Sequence, residues 1–211
     1  MPETMIKDVT EENVEDLCLI CIAPAKRDDP DWIIGKEEKK RWAAEMLKKW
    51  GSFAKVAYRD RTCVGMIQFK PIPERRVVNI DCIYVTQKEH WQKGIATKLL
   101  ASLIADMKKS ALSGFDNKQP LALVIRTFPG EAPGQYSARL FFTKKGFKPV
   151  GDDLNFLYYP LEEGFVYQPI EKHTVEYLPQ KEDKGKVLIV CGPNGCSAAY
   201  PYFLKKMEKY I

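Results

Sequence analysis

The period of the apolar positions changes sharply between Val77 and Lys108, and this stretch organises the rest of the chain. VVNIDCIYV, residues 77–85, is β-branched and apolar, as expected of a strand buried on at least one face. A polar stretch follows, ending in Gln92-Lys93-Gly94-Ile95-Ala96-Thr97. From there Ile95, Leu99, Leu100, Leu103, Ile104 and Met107 recur at helical spacing and form one stripe. The pattern predicts strand, turn and helix, with glycine in the turn. The first N–H groups of a helix lack intrahelical partners and the dipole is positive there, so such a turn favours an anion. Gly94 has no Cβ to obstruct a phosphate, and Lys93 and Lys98 add positive charge.

The same reading extends in both directions. Ile6 to Thr10 reads as a short strand, with Thr10 as the cap of a helix carrying Val14, Leu17, Cys18, Cys21 and Ile22. Residues 26–35 read as a polar loop, and Glu37 to Trp50 as a second helix stopped by Gly51. Phe53–Tyr58 and Cys63–Phe69 read as a hairpin turned at Arg59-Asp60-Arg61, with Pro71 and Pro73 ending its second strand. Past the central unit, Leu121–Thr127 is a strand. Ser137 to Lys145 is a helix closed by Gly146, and strands near Val150 and at Asn155–Leu161 complete a sheet.

The composition fits a soluble globular protein. Of 211 residues, 45% are hydrophobic and 29% charged, enough for one sizeable core with room for an appendage. The N-terminus lacks the basic-then-apolar pattern of a secretory signal, and no apolar run reaches the ~20 residues that cross a bilayer. The net charge of +5 suits phosphates or an acidic partner, and equally a plain solvated surface. No aromatic-interleaved basic tract points to nucleic acid. Six scattered cysteines are not a disulfide framework, so a reducing cytoplasm is the default location. The helical C-x2-C pair Cys18/Cys21 reads as buried, inert thiols before it reads as a metal or redox site.

Residues 83–104 resemble the acetyl-CoA-binding segment of the GNAT superfamily of N-acyltransferases. That motif is Gln or Arg, two residues, Gly, one residue, then Gly or Ala. Gly94 and Ala96 match it, Trp91 stands at the Gln/Arg position, and Gln92 lies one place late. A second segment, residues 137–147, resembles the family's later helix through Ala138, Phe141, Gly146 and Phe147, with Phe142 where the family often has Tyr. The element order β-α-α-β-β-β-α-β-α-β-β is the order of that family. The resemblance implies an α/β (α+β) fold: a mixed, mostly antiparallel sheet of about six or seven strands flanked by helices.

It also implies function. Acetyl-CoA would be the cosubstrate, an amine-bearing molecule the acceptor, and no metal would be required. Ile83, Tyr84 and Val85 would meet the pantetheine and thioester, their backbone N–H groups serving the oxyanion. Gln92, Lys93, Gly94, Ile95, Ala96 and Thr97 would hold the pyrophosphate, and Phe142 would lie by the sulfur. Asp81 and Tyr84 are the catalytic candidates. Asp81, which shares a strand face with Asn79 and Ile83 because side chains alternate, would be the base, directly or through water; the other reading is a carboxylate that pairs with a lysine or caps a loop. Glu131 is a second candidate base, and Tyr136 or water would replace the missing tyrosine as acid. His90, in the polar turn, is expected at the surface.

The domain reading is residues 1–163 as the acyltransferase-like unit, 164–184 as a linker, and 185–211 as a β-α appendage. The appendage resembles the opening of a thioredoxin-like domain, with Cys191 and Cys196 in a C-x4-C loop. Two other readings stay open: a non-catalytic acyl-CoA-binding or regulatory module, and a thiol redox or metal-binding protein acting through Cys191 and Cys196. The acceptor and the oligomeric state, a homodimer included, are left open.

Overall fold

The computed structural model describes residues 3–109, 113–116, 118–127 and 136–168. The expected linker beyond residue 168 and the Cys191/Cys196 appendage lie outside these residues, as does Glu131. Seven strands form one sheet in the order β1-β2-β3-β4-β5-β7-β6. They are β1 (Met5–Asp8), β2 (Ala54–Arg59), β3 (Thr62–Ile72), β4 (Val77–Val85), β5 (Ala122–Arg126), β6 (Lys148–Val150) and β7 (Asp153–Pro160). All neighbours are antiparallel except β4 and β5. The helices are α1 (Val14–Leu19), α2 (Pro30–Trp50), α3 (Ile95–Lys109) and α4 (Ala138–Lys144).

Side-chain alternation divides the core between the two faces of the sheet. On one face Ala57, Ile67, Phe69, Val78 and Ile80 pack against Leu99, Leu100 and Leu103 of α3 and Phe142 of α4. On the other, Ala54, Val56 and Met66 pack against Leu17 of α1 and Ala43 of α2. A third cluster at the end of the sheet gathers Val77, Val124 and Tyr158 under Tyr167, which follows β7. Arg75 stacks on that ring at 4.5 Å and donates to the Gln168 carbonyl, so the chain after β7 is docked near the start of β4.

Four local expectations are corrected. The helix before Trp50 begins at Pro30, not Glu37: Asp29 caps it by accepting from the Asp31 N–H, and Pro30 takes the first position, where no N–H is needed. Asn13, not Thr10, occupies the cap position of α1, and its carboxamide ties the Thr10 N–H to the Asp8 carbonyl. β3 continues through Pro71 to Ile72, beyond the last β2 pair at Ala54–Gln68, where a residue without an N–H is tolerated on the open edge. The hairpin turns at Asp60 and Arg61, both at positive φ, as a two-residue primed turn requires.

Two contacts hold α3 on the sheet. Lys55 of β2 is almost wholly buried and pairs with Asp8 of β1 and Asp106 of α3. Burial works against its charge, but hydrogen bonds to Asp106 and Asp8 outweigh that and raise its pKa above the ordinary value. A raised lysine stabilises the fold fully below its unfolded pKa, and the contribution is lost only as pH climbs through the folded value. The clamp therefore persists across the neutral range.

At the other end of α3, Gly65 of β3 lets the first turn approach. A Cβ on Gly65 would sit 2.9 Å from Ile95 Cγ2, 3.2 Å from Leu99 Cδ1 and 3.3 Å from the Tyr84 carbonyl oxygen. Gly65→Val should cost about 1–3 kcal/mol by overpacking, lowering the melting temperature by roughly 3–10 °C. A thermal melt indistinguishable from the parent's would show that the helix start does not depend on this contact.

Candidate active site

β4 and β5 pair only from Val77–Ala122 to Asn79–Val124, although β4 runs on to Val85 and β5 to Arg126. The strands splay beyond Asn79, and a cavity of about 510 Å³ lies at the carboxyl end of β4, between it, the start of α3 and α4. Beyond that point the β5-facing edge of β4 has no strand partner among the described residues, and its polar backbone is available to a ligand except at the Val85 carbonyl, which Trp91 occupies.

β4 also carries a bulge. Gln68 and Phe69 of β3 oppose Cys82 and Ile80, so Asp81 is an extra residue. The bulge shifts the side-chain phase by one. Ile83 and Val85 join Val78 and Ile80 on the α3 side, whereas Cys82 packs on the opposite face. Ile83 therefore does not share a face with Asp81, contrary to the expectation from unbroken alternation. Asp81 instead accepts from Asn79 Nδ2 at 2.6 Å and lies 3.4 Å from Lys70 Nζ. Burial raises its pKa against the opposing pull of Lys70 and Asn79.

Of the expected ligand-contacting residues, Ile83, Tyr84 and Val85 form one wall of the cavity. Gln92, Gly94, Ile95, Ala96 and Thr97 border it at the start of α3, and Phe142 borders it from α4. Lys93 and Asp81 do not border it. Phe142 is fully buried and packs edge-to-face on Phe141 and Phe147, and α4 closes through Gly146 at φ 89°. Tyr84 is partly exposed at the cavity, and burial of the remainder of its ring raises its phenol pKa.

The turn into α3 is built for close approach. Lys98 N–H to Gly94 C=O, 2.9 Å, is the first helical bond, so the N–H groups of Ile95, Ala96 and Thr97 precede the intrahelical ladder. Gly94 sits at φ 76°, and a Cβ there would meet no atom within 4 Å. Gln92 is held at φ 58°, a left-handed conformation that costs a non-glycine residue about 1 kcal/mol or more. Trp91 does not substitute for the missing Gln or Arg as a ligand donor: its Nε1–H donates to the Val85 carbonyl at 3.1 Å and ties the loop to β4.

Sequence reasoning missed part of the cavity. His90, expected at the surface, borders it with its side chain only 19% exposed. Lys144 and Lys145, at the end of α4, border it too, and Lys144 covers the ring of Tyr136 at 5.4 Å. The +5 net charge was the only hint of such a basic rim.

Among the described residues no group of three or more His, Cys, Asp or Glu side chains is arranged to hold a metal, and no helix is long and apolar enough to cross a membrane. Burial raises the thiol pKa of Cys18 to about 11 and of Cys63 to about 12, so neither is a thiolate nucleophile at neutral pH.

Residues 21–118 match the model of the acetyltransferase (GNAT) family. No curated protein matches the chain. Among solved structures, the chain is 19% identical to the PaiA N-acetyltransferase of Thermoplasma acidophilum in complex with coenzyme A. That alignment covers 74% of this chain and 96% of the other, with a TM-score of 0.51. A GNAT-family acetyltransferase of Staphylococcus aureus Mu50 is 18% identical over 76% of this chain and 100% of its own, with a TM-score of 0.53. One from Brucella melitensis in complex with acetyl-CoA is 15% identical over 82% and 98%, with a TM-score of 0.51. At these identities the structures establish shared architecture: the sheet with its splayed β4 and β5 has the GNAT fold, and within it residues 21–118 match the GNAT acetyltransferase family.

Proposed function

We propose that the protein is an acetyl-CoA-dependent N-acetyltransferase acting on an amine acceptor. The observation that carries this reading is the cavity between the end of β4, where its pairing with β5 has stopped, and the open first turn of α3. The family match and the coenzyme A and acetyl-CoA complexes among the similar structures support it. The cavity fits the cosubstrate's chemistry: a mostly apolar channel for a pantetheine arm ends at free N–H groups and a glycine with open space beside it.

In this reading Gln92 to Thr97 hold the pyrophosphate through main-chain N–H groups, with Lys93 adding charge from outside the cavity. The unpaired edge of β4 at Ile83, Tyr84 and Val85 orients the thioester and polarises its carbonyl. Bound acetyl-CoA supplies the acetyl group as a thioester. Asp81 takes the proton of the attacking amine through water, its raised pKa making it a better base. Phe142 shapes the apolar wall by the sulfur and donates nothing. Residues 1–163 constitute the acetyltransferase unit.

The test is turnover of acetyl-CoA by the full chain against a panel of amines, from small polyamines and amino acids to peptide N-termini. Thiol release that depends on the amine, with acetylated product seen by mass spectrometry, is the expected result. Tight coenzyme A binding without turnover on any amine would favour a binding or regulatory module instead.

A further inference from the structure

The loop from β4 to α3 carries two strained residues. Gln87 lies at φ 28° and Gln92 at φ 58°. Left-handed conformations are unfavourable for a residue with a Cβ, and they persist where the surroundings over-determine them. Gln92 is the informative one, because it borders the cavity. Trp91 at φ −69°, ψ 152° followed by Gln92 at positive φ has the shape of a type II turn, whose second central position calls for Gly or Asn. The chain places glutamine there, so something other than residue preference holds the turn.

Trp91 supplies the restraint through two bonds. Its main-chain N–H donates to the Lys88 carbonyl at 3.1 Å and closes the short turn before it. Its indole Nε1–H donates to the Val85 carbonyl at 3.1 Å, on the last residue of β4. That end of β4 is itself anchored, since the Thr86 N–H donates to the Val64 carbonyl of β3 at 3.0 Å. On the far side of the strained position, the Gly94 carbonyl accepts the first bond of α3, and Ile95 is packed over Gly65. Gln92 to Gly94 therefore span two fixed points, and the indole sets one of them. An indole has a single donor, and here Val85 takes it, so Trp91 keeps no hydrogen bond for a ligand.

We propose that Trp91 is a positioning residue of the cosubstrate site: its bond to Val85 holds Gln92 in the left-handed conformation and so keeps the main-chain N–H groups of the turn into α3 in place for a phosphate. This rests on the acetyl-CoA reading above. Trp91 acts on the ligand through the backbone of its neighbour and not by a hydrogen bond of its own. The one motif position at which this chain departs in residue type therefore serves the same turn by a different route. A second consequence is that the two ends of the site are coupled: the bond that fixes the turn also occupies the last carbonyl of β4.

The experiment is isothermal titration calorimetry of coenzyme A with the full chain. Trp91→Phe keeps an aromatic ring and removes the donor. It should bind coenzyme A about 5- to 10-fold more weakly, with a melting curve that shows a folded protein. Adding Gln92→Gly to Trp91→Phe should recover most of that loss, because glycine adopts positive φ without restraint. A tryptophan that served packing alone would not be rescued at its neighbour. Affinity of Trp91→Phe within about 2-fold of the parent overturns the proposal, and so does a loss that Gln92→Gly leaves uncorrected. Hydrogen exchange of the Trp91 indole N–H, followed by NMR in the parent, decides the matter if Trp91→Phe does not fold. Slow exchange with and without coenzyme A is the expected result, and exchange as fast as that of a free indole in either state overturns the proposal. Failure of the parent to bind coenzyme A overturns the acetyl-CoA reading, and this proposal with it, a result distinct from the others.

Discussion

Gly94→Glu is expected to abolish useful coenzyme A binding while leaving the fold intact. Two effects act at this position. A side chain at φ 76° strains the backbone by about 1–2 kcal/mol. The carboxylate also projects into the open space beside the first free N–H groups of α3, where a phosphate would sit. The strain lowers stability, and the bulk and charge of the carboxylate should weaken affinity by roughly 30- to 1000-fold, about 2–4 kcal/mol. Gly94→Ala separates the causes, since it carries only the strain. Calorimetry on folded variants is the measurement, and coenzyme A bound equally well by Gly94→Glu would remove the phosphate from this turn.

The second large effect belongs to Asp81→Asn. The change preserves size and leaves the β4 bulge in place, so coenzyme A affinity should stay within about 2-fold. Loss of a general base should lower kcat/KM by about 10²- to 10³-fold. The pH profile gives the more specific readout. Burial lifts the Asp81 pKa above the ordinary carboxylate value, so the parent's activity should climb with pH as this group loses its proton. The Asn variant should lack that acid limb and keep any limb due to the amine. Full turnover in the variant would make Asp81 a structural link between Lys70 and Asn79.

The parts of the fold written as local periodicity were legible in the chain. The run at Val77–Val85, the stripe from Ile95 to Met107 and the Gly146 helix stop needed no tertiary information. What escaped were features decided between elements. The bulge at Asp81 arises from pairing with β3, and nothing in VVNIDCIYV shows where the alternation breaks. Lys39 looks like one of many surface lysines on α2, yet it is 3% exposed because α2 lies against α1 and the sheet. The early start of α2 was legible and was misread: Asp29-Pro30 is a cap followed by the one helical position that suits proline.

The candidate site divided in the same way. Its main-chain half, Gly94 to Thr97 with Ile83 to Val85, follows from a strand–turn–helix pattern. Its side-chain half did not. His90 sits in a polar turn, and only the fold of that turn rotates it inward. Trp91 departs from the motif, and its indole holds the loop to Val85, a contact decided between elements and not within the motif.

The short seam between β4 and β5 has a mechanical consequence. Three residue pairs, ending at Asn79–Val124, join a four-stranded antiparallel half-sheet to a three-stranded one. Tyr84 lies five residues beyond the last pair, a lever of about 17 Å at the rise of an extended strand. A relative rotation of about 5° about the seam would swing Tyr84 through about 1.5 Å, the difference between a hydrogen bond made and one broken. Val78 and Leu123 are paired at the middle of that seam, although neither borders the cavity.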